Sequence, residues 1–180
     1  MIQMKKLSVL IICILIVSTL PIEVSAQRQS ISDVVISQGG KRRVIVNYYP
    51  GSESWAKEMI EVAQKGFPLL EEMIGEQCPI SCDIIITEIR PDSLGPGIWG
   101  ENRGCEGLFF PNDFTALALI HELAHYWFTS GGNRWITEGF PDAYAWLVGQ
   151  KIGFEEDYEE DWLRSRRTWK VASYMIGDLP

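Results

Sequence analysis

A chain of 180 residues that is 46% hydrophobic and 22% charged has the composition of an ordinary globular protein, which excludes disordered, collagen-like and coiled-coil architectures. Its formal charge of −8 argues against nucleic acid or anionic lipid as the main partner, because both demand a net basic surface. Histidine occurs only twice, four positions apart.

Residues 1–26 read as a secretory signal: Lys5 and Lys6, the apolar run Leu7–Leu20, then the small residues of Val24-Ser25-Ala26 before a cleavage point at Gln27. The run falls short of the roughly 20 apolar residues of a membrane span. An uncleaved membrane anchor is the alternative, but Cys13 lies mid-run, not where a lipid-bearing cysteine would stand. A secreted or otherwise extracytoplasmic protein is expected. Residues 27–180 carry no repeat and read as a single domain, one unit more acidic than the whole chain once Lys5, Lys6 and Glu23 are removed. Outside the cytoplasm its three cysteines, Cys78, Cys82 and Cys105, predict one disulfide and a free thiol, or an intermolecular bridge, with the pairing open. A zinc half-site at Cys78 and Cys82 has only Cys105 to complete it, which favours a loop disulfide.

In chain order, the β-rich runs Asp33–Ser37 and Arg43–Tyr49 flank Gln38-Gly39-Gly40-Lys41, a hairpin pattern. Residues 53–74 place Trp55, Met59, Ile60, Val62, Ala63, Phe67, Leu70 and Ile74 at helical spacing, Gly75 closes the run, and Pro68 predicts a kink or a split. Cys82–Ile89 reads as a buried strand, residues 90–107 as a Gly- and Pro-rich loop, and Leu108–Phe110 as a short strand cut off by Pro111. Asn112 or Asp113 then caps a helix running to about Ser130, and a further helix starts near Thr137. Glu155–Lys170, acids first and bases last with Tyr158, Trp162 and Trp169 on one face, completes the pattern as a solvated helix, a reading preferred to a calcium site in Glu155–Asp161. Strands first and helices later give the class α+β.

The stretch that carries chemistry is His121-Glu122-Leu123-Ala124-His125. On a helix, positions i and i+4 face the same way, so both imidazoles can hold one metal ion while Glu122 stands beside the first as a base. Phe114, Leu117, Leu119, Ile120, Leu123 and Trp127 make the helix apolar nearly all round, and histidines buried there are costly unless paired. A catalytic zinc takes three protein ligands and one water; with no histidine left, the third is a carboxylate or thiolate. Glu138, beyond the Gly131-Gly132-Asn133 turn, is the candidate. Asp142, one helical turn on, is placed to accept a hydrogen bond from the far nitrogen of a ligand histidine.

His-Glu-x-x-His followed by Trp135-x-x-Glu138-Gly139 resembles the gluzincins, the zinc metallopeptidases of the thermolysin and aminopeptidase-N type. The resemblance implies zinc ligands at His121, His125 and Glu138, the catalytic base at Glu122 and a supporting carboxylate at Asp142. It also implies a zincin-like fold: a small mixed sheet on helices, with the active-site helix under an edge strand, here read as Leu108–Phe110. An extended peptide or protein substrate would pair with that edge. Gly100-Glu101-Asn102 is similar to the stretch with which aminopeptidases of this family capture a substrate amine, which makes Glu101 a substrate-binding candidate. The chain departs from the archetypes in a shorter gap before Glu138 and in Pro141, which predicts Glu138 in the first turn of its helix. Few residues follow, so the C-terminal helical part is reduced and the transition-state partner is left among Tyr126, Tyr144, Tyr158 and Tyr174, with Tyr144 taken as a substrate-binding candidate. The implied activity is zinc-dependent hydrolysis of peptide bonds. The alternative is a secreted zinc-binding module, or a latent protein of this kind, without turnover.

Overall fold

The structure is a computed structural model that describes residues 27–94, 100–113, 116–128 and 134–153. The expected signal segment, the expected turn at Gly131-Gly132-Asn133 and the expected helix Glu155–Lys170, with Tyr158 and Tyr174, lie outside the described residues. The class is mixed α+β, with five strands in one sheet and three α-helices among the described residues.

The chain opens with a hairpin. β1 (Gln29–Ser37) and β2 (Gly40–Tyr48) pair antiparallel from Ser37 opposite Gly40 to Gln29 opposite Tyr48, a ladder longer than the β-rich runs alone suggest. Only one face of it is buried. Val35, Val44, Val46 and Tyr48 point to the core, while Val34 and Ile36 on the alternate positions stay exposed. The outer edge is blunted at its middle: Asp33 Oδ1 accepts the Val34 N–H at 2.7 Å, and Gln64 Nε2 donates to the Val34 carbonyl at 3.1 Å.

α1 (Glu53–Ile74) crosses back over the sheet, burying Trp55, Met59, Ile60, Val62, Ala63, Phe67 and Leu70 at the expected spacing. Such fully buried apolar side chains contribute about 1.5–3 kcal/mol each. The helix runs through Pro68 as a single element, so the expected split does not occur. Phe67 and Leu70, wholly buried on either side of the proline, hold both halves on one packing surface and outweigh the lost main-chain bond. Gly75 ends the helix with a φ of 78°, a left-handed turn that suits glycine, its N–H returning to the Glu71 carbonyl at 3.0 Å.

β3 (Ile84–Glu88) lies parallel to β2, and β5 (Leu108–Phe110) lies parallel to β3. Between them in sequence, the expected loop contains a two-residue strand, β4 (Glu101–Asn102), antiparallel to β5. The order β1-β2-β3-β5-β4 corrects the reading of Leu108–Phe110 as the edge: β5 is flanked on both sides, and the edge is β4. The β4–β5 connection is pinned by the disulfide Cys82–Cys105, with a Cα–Cα separation of 5.7 Å, which leaves the half-buried Cys78 as the free thiol. Cys105 is thereby removed as a metal ligand.

Two buried carboxylates tie these elements together. Glu71 accepts the main-chain N–H groups of Gly39 (3.1 Å) and Cys78 (3.0 Å), joining α1 to the hairpin turn. Burial alone would raise its pKa; the bonds from Cys78, Ser37, Gly39 and Gln38 bring it below the usual carboxylate range. Glu88 accepts from the Tyr49 N–H (2.6 Å) and the Ser52 hydroxyl (2.8 Å). Ser52 precedes α1 but makes no side-chain cap; with Asn112 donating to its hydroxyl at 3.0 Å, it joins the end of β3 to the chain beyond β5.

α2 (Ala116–Ala124) packs on α1 and, through its other side, on α3 (Arg134–Ile152) and the β4–β5 edge. It is shorter than the expected helix to Ser130. After Ala124 the chain tightens into turns, with Tyr126 N donating to Leu123 O (3.1 Å) and Trp127 N to Ala124 O (3.0 Å). Trp127 is drawn to the end of α1, where its indole N–H donates to the Glu76 carbonyl and its ring lies 5.7 Å from that of Phe67. No helix among the described residues is long and apolar enough to cross a membrane.

Candidate metal centre

α2 is buried almost throughout, and His121 and Glu122 are buried with it, at 7% and 9% exposure. His125 lies one residue beyond the assigned end of α2, but its N–H still reaches the His121 carbonyl at 3.3 Å. The one-turn offset therefore survives and brings the two rings together. Their Nε2 atoms are 3.0 Å apart, with the ring planes at 78°. Two ring nitrogens this close repel through their lone pairs unless a proton or a cation lies between them.

α3 supplies the acids. It begins at Arg134, before the expected Thr137, so Glu138 sits in the second turn and not the first, and Pro141 lies inside the helix. Glu138 and Asp142, four residues apart, face the same way. Glu138 Oε2 stands 3.5 Å from His121 Nε2 and 3.9 Å from His125 Nε2. Asp142 Oδ1 lies 2.7 Å from His121 Nδ1. The contact favours hydrogen on Nδ1, which leaves Nε2, facing the centre, to carry a second proton or to bind a cation.

Metal-ligating atoms of His121, Glu122 and His125 lie within 4.8 Å of one another, close enough to hold a metal ion. The two Nε2 atoms and Glu138 Oε2 form a tighter set, with separations of 3.0, 3.5 and 3.9 Å. Donors bound at about 2.0–2.1 Å to one tetrahedral ion stand about 3.3–3.4 Å apart, so these three atoms fit such an ion.

The electrostatics agree. Burial alone would lower the His121 pKa, yet Asp142 and Glu138 hold it at about 9. His125 is pushed down to about 4 by burial and by the charge of His121. Burial, with Glu138 and Glu101 nearby, raises Glu122 to about 7 against the opposing charge of His121. One positive charge is favoured between the rings. Asp142→Asn, which keeps the shape and loses the charge, should weaken the binding of a metal ion at this centre about 10–100-fold in a chelator competition.

The sheet edge reaches the same place. Asn102 Nδ2 donates to the Glu122 carbonyl at 2.6 Å, and the Asn102 main-chain N–H lies against the Glu122 carboxyl. Gly100 is pressed between neighbours: a Cβ there would stand 2.4 Å from Phe110 Cε1 and 3.1 Å from Glu122 Cγ. Glu101, the residue singled out in sequence, pairs in register with Phe109 and engages Arg103 at 2.6 Å. Alternation along the strand turns it to the sheet face opposite Asn102. The residue missed was Asn102; its one sequence signal is that neighbouring strand positions cannot both face α2. Tyr144 lies on another side of α3 from Asp142, buried in a stack with Phe128 (5.6 Å) and Phe140 (6.5 Å). Tyr126 is buried too, at 2% exposure, and burial raises its pKa. The centre therefore gathers His121, Glu122, His125, Glu138 and Asp142; Glu101, paired with Arg103, lies near enough to act on the charge of Glu122, whereas Tyr144 is held in its aromatic stack. Compared with protein-family models and with curated proteins, the chain matches none.

Proposed function

We propose that this protein is a zinc-dependent peptidase of the gluzincin kind, working outside the cytoplasm on peptide or protein substrates. The observation that carries the reading is the triangle of His121 Nε2, His125 Nε2 and Glu138 Oε2, with Glu122 buried beside it. These three residues would hold the ion, and Asp142 would orient His121. When bound, zinc polarises a carbonyl oxygen and supplies a nucleophilic water at neutral pH.

Glu122 does the proton work. Buried beside the two imidazoles, its carboxylate takes a proton from the attacking water and returns it to the leaving nitrogen. Glu138, with 39% of its side chain exposed against 9% for His121, marks the solvent side from which a substrate enters. The edge strand β4, beside Glu122 and without a further strand neighbour among the described residues, would offer main-chain groups to an extended peptide. The disulfide Cys82–Cys105 accords with an oxidising compartment, as the signal-like residues 1–26 do.

The test is hydrolysis of a mixed peptide library by the zinc-loaded protein. Cleavage should vanish on chelation and return with added zinc. A protein that binds zinc at His121 and His125 yet cleaves nothing would be a zinc-holding module without turnover.

A further inference from the structure

The last four carbonyls of an α-helix lack helical donors and must find partners elsewhere. In α2 these belong to His121, Glu122, Leu123 and Ala124. The turn beyond supplies three donors: His125 N to His121 O (3.3 Å), Tyr126 N to Leu123 O (3.1 Å) and Trp127 N to Ala124 O (3.0 Å). Tyr126 N, which a continuing helix would offer to Glu122, is taken by Leu123. The Glu122 carbonyl is satisfied instead from the sheet, by Asn102 Nδ2 at 2.6 Å.

We propose that Asn102 is a positioning residue for Glu122, capping the carbonyl of that residue and thereby fixing both the end of α2 and the placement of the general base. The orientation of its amide is settled by its other end, where Asn102 Oδ1 accepts the Gly104 N–H at 2.7 Å. A flipped amide would set oxygen against the Glu122 carbonyl and NH₂ against the Gly104 N–H. One side chain thus couples the β4–β5 hairpin to α2. The hairpin is itself anchored by the Arg103 N–H on the Gly107 carbonyl (2.9 Å) and by Cys82–Cys105. Gly100, packed against Glu122 Cγ, bears on the same residue through its side chain. The segment 100–102 therefore holds Glu122 by main chain and by side chain together.

The consequence for turnover rests on the peptidase reading; the consequence for the end of α2 does not. Asn102→Asp separates them. It keeps the size of the side chain and the acceptor for Gly104, replaces the donor to Glu122 with an oxygen, and adds a negative charge that the alanine variant below controls for. In the zinc-loaded protein, kcat should fall about 10–100-fold, the factor corresponding to one lost buried hydrogen bond. KM and zinc affinity should stay within about threefold of wild type, because the ligand atoms are untouched. Amide hydrogen exchange at His125, Tyr126 and Trp127 should speed up about tenfold or more as the helix end loosens. Asn102→Ala, which adds no charge, should shift exchange the same way and serves if the aspartate variant fails to fold. Unchanged exchange at these amides overturns the proposal whatever the turnover. So does a kcat loss matched by an equal loss of zinc affinity. If the wild-type protein cleaves nothing, the peptidase reading fails by itself, and the exchange measurement still decides the role of Asn102.

Discussion

Glu122→Gln should leave zinc binding within a few-fold of wild type and reduce peptide hydrolysis by about 10²–10⁴-fold, the usual contribution of a positioned acid–base group. Glutamine matches glutamate in shape, so packing against Gly100 and the bond from Asn102 to the main chain should persist. What disappears is a carboxylate that can hold a proton near neutral pH. The carboxyl sits at about 7 because burial opposes its charge and Glu138 adds repulsion, while the charge on His121 pulls the other way. Zinc content by metal analysis and turnover on one cleaved peptide separate the outcomes. Full activity in this variant would remove Glu122 from the mechanism, and loss of zinc along with activity would make it a ligand.

Glu138→Ala should be the most damaging change to metal binding that spares both histidines. On the proposed ligand set Glu138 touches the ion, and its loss should exceed the about 10–100-fold expected for a partner that only orients a ligand. Its Oε2 is the third corner of the donor triangle, at 3.5 and 3.9 Å from the two imidazoles. Because Glu138 is the most solvent-exposed of the three, its removal should unfold nothing, and a thermal melt of the chelated variant should match that of the chelated wild type. The pH dependence follows from His121. In the metal-free protein it keeps a proton up to about pH 9, and a cation must displace that proton. Apparent zinc affinity should therefore rise with pH, by up to about tenfold per unit, and level off above about pH 9. Zinc binding to Glu138→Ala at wild-type strength would place the third ligand elsewhere, with Glu122 the next candidate among the clustered residues.

The elements differ in how far local pattern governs them. α1 was legible residue by residue, because its buried positions recur at helical spacing and Gly75 supplies a left-handed stop. The hairpin was legible from two β-rich runs flanking Gln38-Gly39-Gly40-Lys41. Of the kink or split read at Pro68, the split does not occur, because the rule weighs one lost hydrogen bond whereas the fold weighs it against Phe67 and Leu70 buried on one surface. The sheet edge was misread for a similar reason. Nothing in Leu108–Phe110 says what pairs with it, and a two-residue strand such as Glu101–Asn102 has no periodicity to detect. The buried carboxylates Glu71 and Glu88 were passed over, since their partners are main-chain N–H groups and a hydroxyl from distant turns.

For the centre itself, the sequence alone determined the acid and the two bases of His121-Glu122-x-x-His125, because a spacing of four brings two side chains to one side of any helical turn. It also nominated Glu138 and Asp142 as a pair on one face by the same arithmetic. Only the tertiary structure decided that these faces meet: α3 had to pack on α2 to set the Glu138 carboxylate within 4 Å of both rings and Asp142 against the far side of His121. Likewise only the pairing of β4 with β5 brought the Asn102 amide to the Glu122 carbonyl. Helical spacing is a property of neighbouring residues and is written in the chain, whereas register and packing arise between segments distant in sequence and are fixed only when the core closes.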